Sequence, residues 1–305
     1  MSTKLLAWEN QGIFLTVGAF DHRVFVVDIG DKEASVSDTL ILIHGFPESS
    51  YSFSGTISHL QSRFKRIVCW DSLGFGFSDK PHENFTYSIY EHADVALEVW
   101  KQLGISGAHV LAHDMGDTIF TEILCRLHLN RPYWMTEGIL SATFTNGGMV
   151  MKHTHMGPGQ IILLSPLKSL AVQILGGNYK IFGSQISSAN GNNNLTNENI
   201  QSMFSQFFDN KPKAVIWKVV QYYKERHRFE HVRWLPILSQ LDIPIHIAWG
   251  TDDKNNGSES ALYIKENFAP QAKITLMNGL GHFCQIQNPQ LWSEYMLDFW
   301  KSIKN

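Results

Sequence analysis

The residues of this 305-residue chain that could do chemistry lie in four short segments, each containing glycine. Ala112-His113-Asp114-Met115-Gly116 follows an apolar run and precedes a helical stretch. Small residues two before and two after a central side chain permit a tight strand-to-helix turn, which lifts that side chain to the start of the helix. A carboxylate held there can attack carbon and form an ester on the protein. The plainer reading is an aspartate that caps a helix. His282, in Gly279-Leu280-Gly281-His282-Phe283, lies in a turn after the last predicted strand, and Asp253, in Gly250-Thr251-Asp252-Asp253, follows the strand before it. Nucleophile, acid and histidine thus follow one another in a chain order that a catalytic triad can adopt, with Asp252 as an alternative acid. His44-Gly45-Phe46-Pro47 ends the apolar run LILIH. A loop there can aim the Phe46 N–H beside that of Met115, as an oxyanion hole.

Elements must bring these segments together. Strands are predicted at 12–19 and 23–28, close enough to form an antiparallel entry, and then at 39–44, 66–71, 108–113 and 138–145. The later runs are uniformly apolar, as suits parallel strands covered on both faces, and helix-length segments at 87–103 and 118–128 separate them. The pattern predicts an α/β fold with a mostly parallel, doubly wound sheet and a ligand site beyond the carboxyl ends of its strands. The rhythm stops at Asn146 and resumes after Leu235, with strands at 243–249 and 273–277 and helices at 258–268 and 289–303. Residues 1–145 and 236–305 therefore read as one core domain, and 146–235 as a helical cap inserted above the strand ends. Within the cap, 198–208 and 213–228 look helical, and the Asn-rich tract at 190–199 reads as a solvated loop.

Composition narrows the function. The chain has 25 Lys and Arg against 28 Asp and Glu, a net charge of −3, so it has no basic field to recruit nucleic acid. A hydrophobic content of 44% argues against global disorder. Cys69, Cys125 and Cys284 are widely spaced and read as buried reduced thiols rather than disulfides or metal ligands. The longest apolar stretch, 161–175, is broken by polar residues and too short to span a membrane, and the first residues lack a signal-peptide pattern. The expectation is a soluble, cytoplasmic protein that needs no metal or organic cofactor and acts on a small apolar electrophile with water.

Taken together, HGFP, the segment Asp71–Pro81 (DSLGFGFSDKP), HDMG, GTDD and GLGH resemble the α/β-hydrolase family. Within it they are similar to the branch of epoxide hydrolases, haloalkane and haloacetate dehalogenases and mesoderm-specific transcript proteins. Gln221-Tyr222, Arg226, Phe229, Arg233-Trp234, the segment 243–246 and Asn146-Gly147-Gly148 look closest to the mesoderm-specific transcript group. The resemblance implies the α/β-hydrolase fold and a two-step hydrolysis: Asp114 forms an alkyl ester, and water activated by His282, oriented by Asp253, cleaves it. Family spacing favours Asp253 over Asp252.

The resemblance also separates the sub-branches. Dehalogenases usually place a tryptophan after the nucleophile and an asparagine after His-Gly; Met115 and Phe46 stand there instead. Haloacetate dehalogenases resemble HDRG, and Met115 replaces that arginine too. Related epoxide hydrolases use cap tyrosines as the ring-opening acid, which points to Tyr222 first, with Tyr223 and Tyr179 as alternatives. Adjacent helical positions point about 100° apart, so Tyr222 and Tyr223 are not expected to face the site equally. His44, Pro47, His113, Tyr179, Trp217 and Tyr223 are the substrate-binding candidates. Asp117 is expected to act on the helix dipole. Trp134, Trp217, Phe204, Phe207 and Phe208 could line a pocket, and His153 and His155 could reach its mouth. Epoxide hydrolysis is the leading expectation, followed by dehalogenation and by a hydrolase-fold protein that binds an apolar molecule or a protein without turnover.

Overall fold

The computed structural model describes residues 2–191, 195–209 and 212–303. Its eight strands are β1 (Ile13–Val17), β2 (His22–Gly30), β3 (Thr39–Ile43), β4 (Arg66–Trp70), β5 (Gly107–His113), β6 (Gly138–Thr145), β7 (Ile245–Gly250) and β8 (Lys273–Met277). They form one sheet in the order β1-β2-β4-β3-β5-β6-β7-β8. β2 pairs antiparallel with β1 and β4, and every later pairing is parallel. β3, β4, β5 and β7 are buried along their whole length, which explains why their sequences are apolar without alternation. Two apolar clusters cover the faces of the sheet, one containing Trp100, Phe120 and Trp249 and the other Phe53, Trp292 and Trp300.

The helix after β5, Met115–Asn130, begins directly behind Asp114, earlier than the expected start. Asp114 itself has φ 49° and ψ −110°, a conformation that non-glycine residues rarely adopt and that lifts its side chain out of the turn. A side chain at Gly116 would meet the carbonyl oxygens of Ile43 and His44 at 2.5 and 2.8 Å, so only glycine lets the helix sit this close to β3.

The inserted segment contributes helices Pro158–Leu164, Lys168–Leu175, Tyr179–Ala189, Asn197–Phe208, Lys213–Lys218 and Tyr222–Phe229. The single helix expected at 213–228 is broken at Val219–Gln221. The break buries Val219 and Val220, with Val219 seated beside Gly74 of the DSLGFGF loop. At the cap's exit, Arg233 donates to both oxygens of Glu122 on the Met115–Asn130 helix at 2.7 and 2.9 Å, and Trp234 donates to the same carboxylate at 3.0 Å. The Asn-rich tract also departs from expectation. Asn192 to Asn194 lie outside the described residues, but Asn190 is buried, accepting from the Phe283 N–H at 2.9 Å and donating to Gln287 at 3.3 Å. The tract therefore begins as a clamp on the His282 turn. All three cysteines are free and buried, as the sequence suggested.

Candidate active site

Asp114, Phe46 and His282 line one cavity of about 610 Å³ between the strand ends and the cap. The Phe46 N–H donates to Asp114 Oδ2 at 2.9 Å, so the candidate oxyanion donor already faces the carboxylate. A side chain at Gly45 would strike Asp114 Cβ at 2.6 Å, which explains the glycine of HGFP. The loop is held from behind: His44 Nδ1 bonds the Gly45 carbonyl at 2.8 Å and His44 Nε2 accepts from the Ser72 N–H at 2.9 Å. Asp71 accepts from the N–H groups of Ser50 and Phe77 and from the Ser50 hydroxyl, tying the DSLGFGF loop to the HGFPESS loop.

His282 Nδ1 lies 2.9 Å from Asp253 Oδ2. Asp253 is fully engaged, because its Oδ2 also accepts from Asn146 Nδ2 at 2.8 Å while Oδ1 accepts from the N–H groups of Asn255 and Asn256 at 2.8 and 2.9 Å. Asp252 is half-buried and bonded by the Thr251 hydroxyl instead. Burial alone would lower the His282 pKa, yet the Asp253 carboxylate, helped by Asp114 and Glu48, raises it to about 9.

Three buried groups behind these residues escaped the sequence reading. Glu48 bonds Gln285 Nε2 at 2.7 Å and lies 3.5 Å from His113 Nε2, and burial pushes its carboxyl up to about 8. Asn146, the first residue after β6, holds Asp253 and also accepts from the Gly250 N–H at 3.2 Å. Arg226 reaches from the cap, donating to the Thr118 hydroxyl at 2.8 Å and to the Asp114 carbonyl at 2.9 Å, with its guanidinium 4.6 Å from the Tyr222 ring centre. Asn146 and Arg226 stand in the sequence only as residues carrying the family resemblance, with no role assigned, and Glu48 is marked only by following HGFP. Asp117 is buried in the first turn of its helix, where Oδ1 accepts from the Thr145 N–H at 3.3 Å, and burial raises its carboxyl well above the usual range.

The binding candidates divide. Pro47 and Tyr223 line the cavity, with Phe207, Phe208, Ile162, Leu163 and Val172. Tyr223 oxygen accepts from Gln160 Nε2 at 2.8 Å, which leaves its own proton free. Tyr222 does not line the cavity. It is wholly buried against Phe46, its ring stacks on Tyr223 with centres 4.5 Å apart, and its hydroxyl has no hydrogen-bond partner among the described residues. The two residues thus do not face the cavity equally, as adjacent positions on one helix suggested, although their rings stack. Burial raises both phenols, Tyr223 to about 12 and Tyr222 well above its usual value, with Asp114 adding to each shift.

His44, His113, Tyr179 and Trp217 are not among the lining residues. His44 is occupied by its loop, and His113 is buried against the Thr145 hydroxyl at 3.0 Å. Tyr179 turns outward onto Phe204, and Trp217 lies under the Lys168 ammonium. Trp134 and Phe204 pack on the core cluster without lining the cavity, while the His153 ring packs at a tilt against Tyr263 and the His155 backbone bonds Asn255. Among the described residues, no cluster of three or more His, Cys, Asp or Glu could hold a metal ion, and no helix is long and apolar enough to cross a membrane.

Comparison with known proteins agrees with this fold. Residues 38–289 match the sequence profile of the alpha/beta hydrolase fold. The mesoderm-specific transcript protein of Mus musculus is 30% identical over 299 residues, spanning 95% of this chain and 85% of that protein, in line with the group picked out by the cap residues. Epoxide hydrolase 1 of Caenorhabditis elegans is 25% identical over 312 residues, spanning 97% of this chain and 71% of that protein. The solved structure of the epoxide hydrolase CorEH superposes with a TM-score of 0.74 at 17% identity, covering 96% of this chain and 99% of that one.

Proposed function

We propose that this chain, which belongs to the α/β-hydrolase family, hydrolyses small apolar epoxides to diols through an ester on Asp114. One observation carries the reading: a carboxylate, not a hydroxyl, tops the elbow and shares an apolar cavity with a phenol whose proton is free. Asp114 attacks an oxirane carbon, the C–O bond breaks, and the departing alkoxide takes its proton from Tyr223. Tyr222, stacked behind, orders that ring. Ester formation consumes the Asp114 charge, one of the influences that raise His282. The imidazolium then gives up a proton, which restores the phenol.

Neutral His282 is now the base for water, which adds to the ester carbonyl. The tetrahedral oxyanion is held by the N–H groups of Phe46 and Met115. Collapse breaks the bond to the alkoxide, whose oxygen takes a proton from His282. The acid proton left on Asp114 then returns His282 to its cationic state. Halide release fits less well: no tryptophan lines the cavity, and the side chains of Phe46 and Met115 offer no N–H donor. The C. elegans relative supports the epoxide reading.

The test is a substrate panel. Wild type should convert styrene oxide to its diol, and His282→Gln should stall with one substrate mass attached to Asp114. Bromide release from alkyl bromides without epoxide turnover would overturn the assignment.

A further inference from the structure

Charge is unevenly divided along this chain. The segment 138–197 contains no Asp or Glu, and residues 146–235 hold ten Lys and Arg against four acids, net +6. The remaining residues hold fifteen against twenty-four, net −9. The acid-free stretch also turns apolar side chains outward. Ile161, Leu167 and Leu170, on and between helices Pro158–Leu164 and Lys168–Leu175, are 54, 60 and 54% exposed. The opposite faces of the same helices, through Ile162, Leu163, Ala171 and Val172, line the apolar cavity, as do Lys180 and Ile181 of the next helix. Arg226 is buried and Arg233 is bonded to Glu122, but Lys168 and Lys180 stand on the helices that carry or adjoin the patch. An apolar patch with basic neighbours beside an apolar cavity is what a membrane-surface contact requires.

We propose that this cap face docks on the surface of an anionic lipid bilayer, with Ile161, Leu167 and Leu170 at the headgroup boundary, so that apolar substrate enters the cavity from the lipid. Charge complementarity selects this occupant. A second copy would set one basic cap against another, whereas an acidic leaflet attracts the cap and repels the acidic core, orienting the cavity mouth toward the bilayer. Each basic residue brought close to such a surface strengthens binding by roughly fivefold. Docking does not depend on the reaction proposed above; only the entry route rests on the cavity receiving an apolar substrate.

The full chain is sedimented with phosphatidylcholine vesicles and with vesicles containing about a third phosphatidylglycerol. The anionic vesicles should bind it at least tenfold more tightly, and added salt should weaken that binding. The triple variant Ile161→Ser, Leu167→Ser, Leu170→Ser should lose tenfold or more in partition while keeping its thermal unfolding midpoint and its turnover of a water-soluble epoxide. Equal partition of the variant, or no binding to anionic vesicles, overturns the proposal. So does light scattering that shows a dimer abolished by the variant without vesicle binding, which would make the patch a self-association surface. Absence of epoxide turnover with vesicle binding intact would overturn the reaction and leave the docking surface standing.

Discussion

Six of the fourteen histidines are buried among the described residues, and burial acts on them in opposite ways according to their company. In the interior of the sheet and its loops, burial lowers His44 and His109 to about 4, His92 and His246 to about 3, and His113 well below the usual value. Three of them bond hydroxyls, those of Ser141, Thr145 and Thr275, and Glu48, 3.5 Å from His113, does not offset the burial of that ring. His282 is equally buried but faces Asp253, Asp114 and Glu48, and rises to about 9. His113 and His282 are neighbours, with ring centres 5.5 Å apart. Desolvation is therefore common to both regions, and the carboxylates facing His282, Asp253 first among them, set its pKa apart.

The severest way to break that difference is to remove its charges. Asp114→Asn should abolish ester formation, and His282→Gln should abolish ester hydrolysis, each lowering diol production by about 10⁴-fold or more in steady-state assays. Asp253→Asn keeps the shape of the triad but takes away the main influence raising His282. It should cost about 10³- to 10⁴-fold. NMR titration of the His282 ring should then find it neutral near pH 7, like His113. An imidazole still protonated at that pH would show that Asp253 is not the cause.

A milder change tests the cap side of the site. Tyr223→Phe should slow ester formation by about 10²-fold, measured by single-turnover quench, and leave ester hydrolysis unaffected. Tyr222→Phe should cost less, because its ring does not line the cavity. The reverse ranking would restore Tyr222 as the contacting acid.

The same contrast explains how much of the molecule could be read in its sequence. Core motifs were legible because each encodes a local backbone demand: Gly45 and Gly116 admit close approaches, and HDMG makes the elbow. The strand runs were legible because burial on both faces removes alternation. What escaped depends on contacts between distant segments. Asn146 holding Asp253, Glu48 beneath His282 and Arg226 behind Asp114 join residues about a hundred or more positions apart, and no local pattern marks them. Asn190 looked like part of a polar loop because an amide that caps a buried turn has the same composition as a solvated one. Which of Tyr222 and Tyr223 lines the cavity depends on how their helix is rotated against the core, and that tertiary choice is not encoded in their spacing.

The smallest effect tests both regions in one measurement, through the dependence of stability on pH. The five lowered histidines bind protons in the unfolded chain near pH 6.5 but stay neutral when folded until about pH 4 or below. Between those values the unfolded state holds more protons, so stability must fall as pH drops. Glu48, Asp71, Asp117 and Glu225, raised on folding, oppose this trend, but the five histidines still outnumber the four carboxyls. Above pH 6.5 the sign reverses. His282, raised to about 9, and Glu48, raised to about 8, keep their protons in the folded protein after the unfolded chain has released them. The stability they contribute is lost as pH rises through their folded values. Denaturant midpoints measured from pH 4.5 to 9 should therefore peak near pH 6.5 and decline on both sides. The His282→Gln variant should keep the acid decline and lose part of the alkaline one. A wild-type profile flat from pH 6.5 to 9 would mean that the carboxylates around His282 do not hold its proton, and the contrast between the two regions would fail.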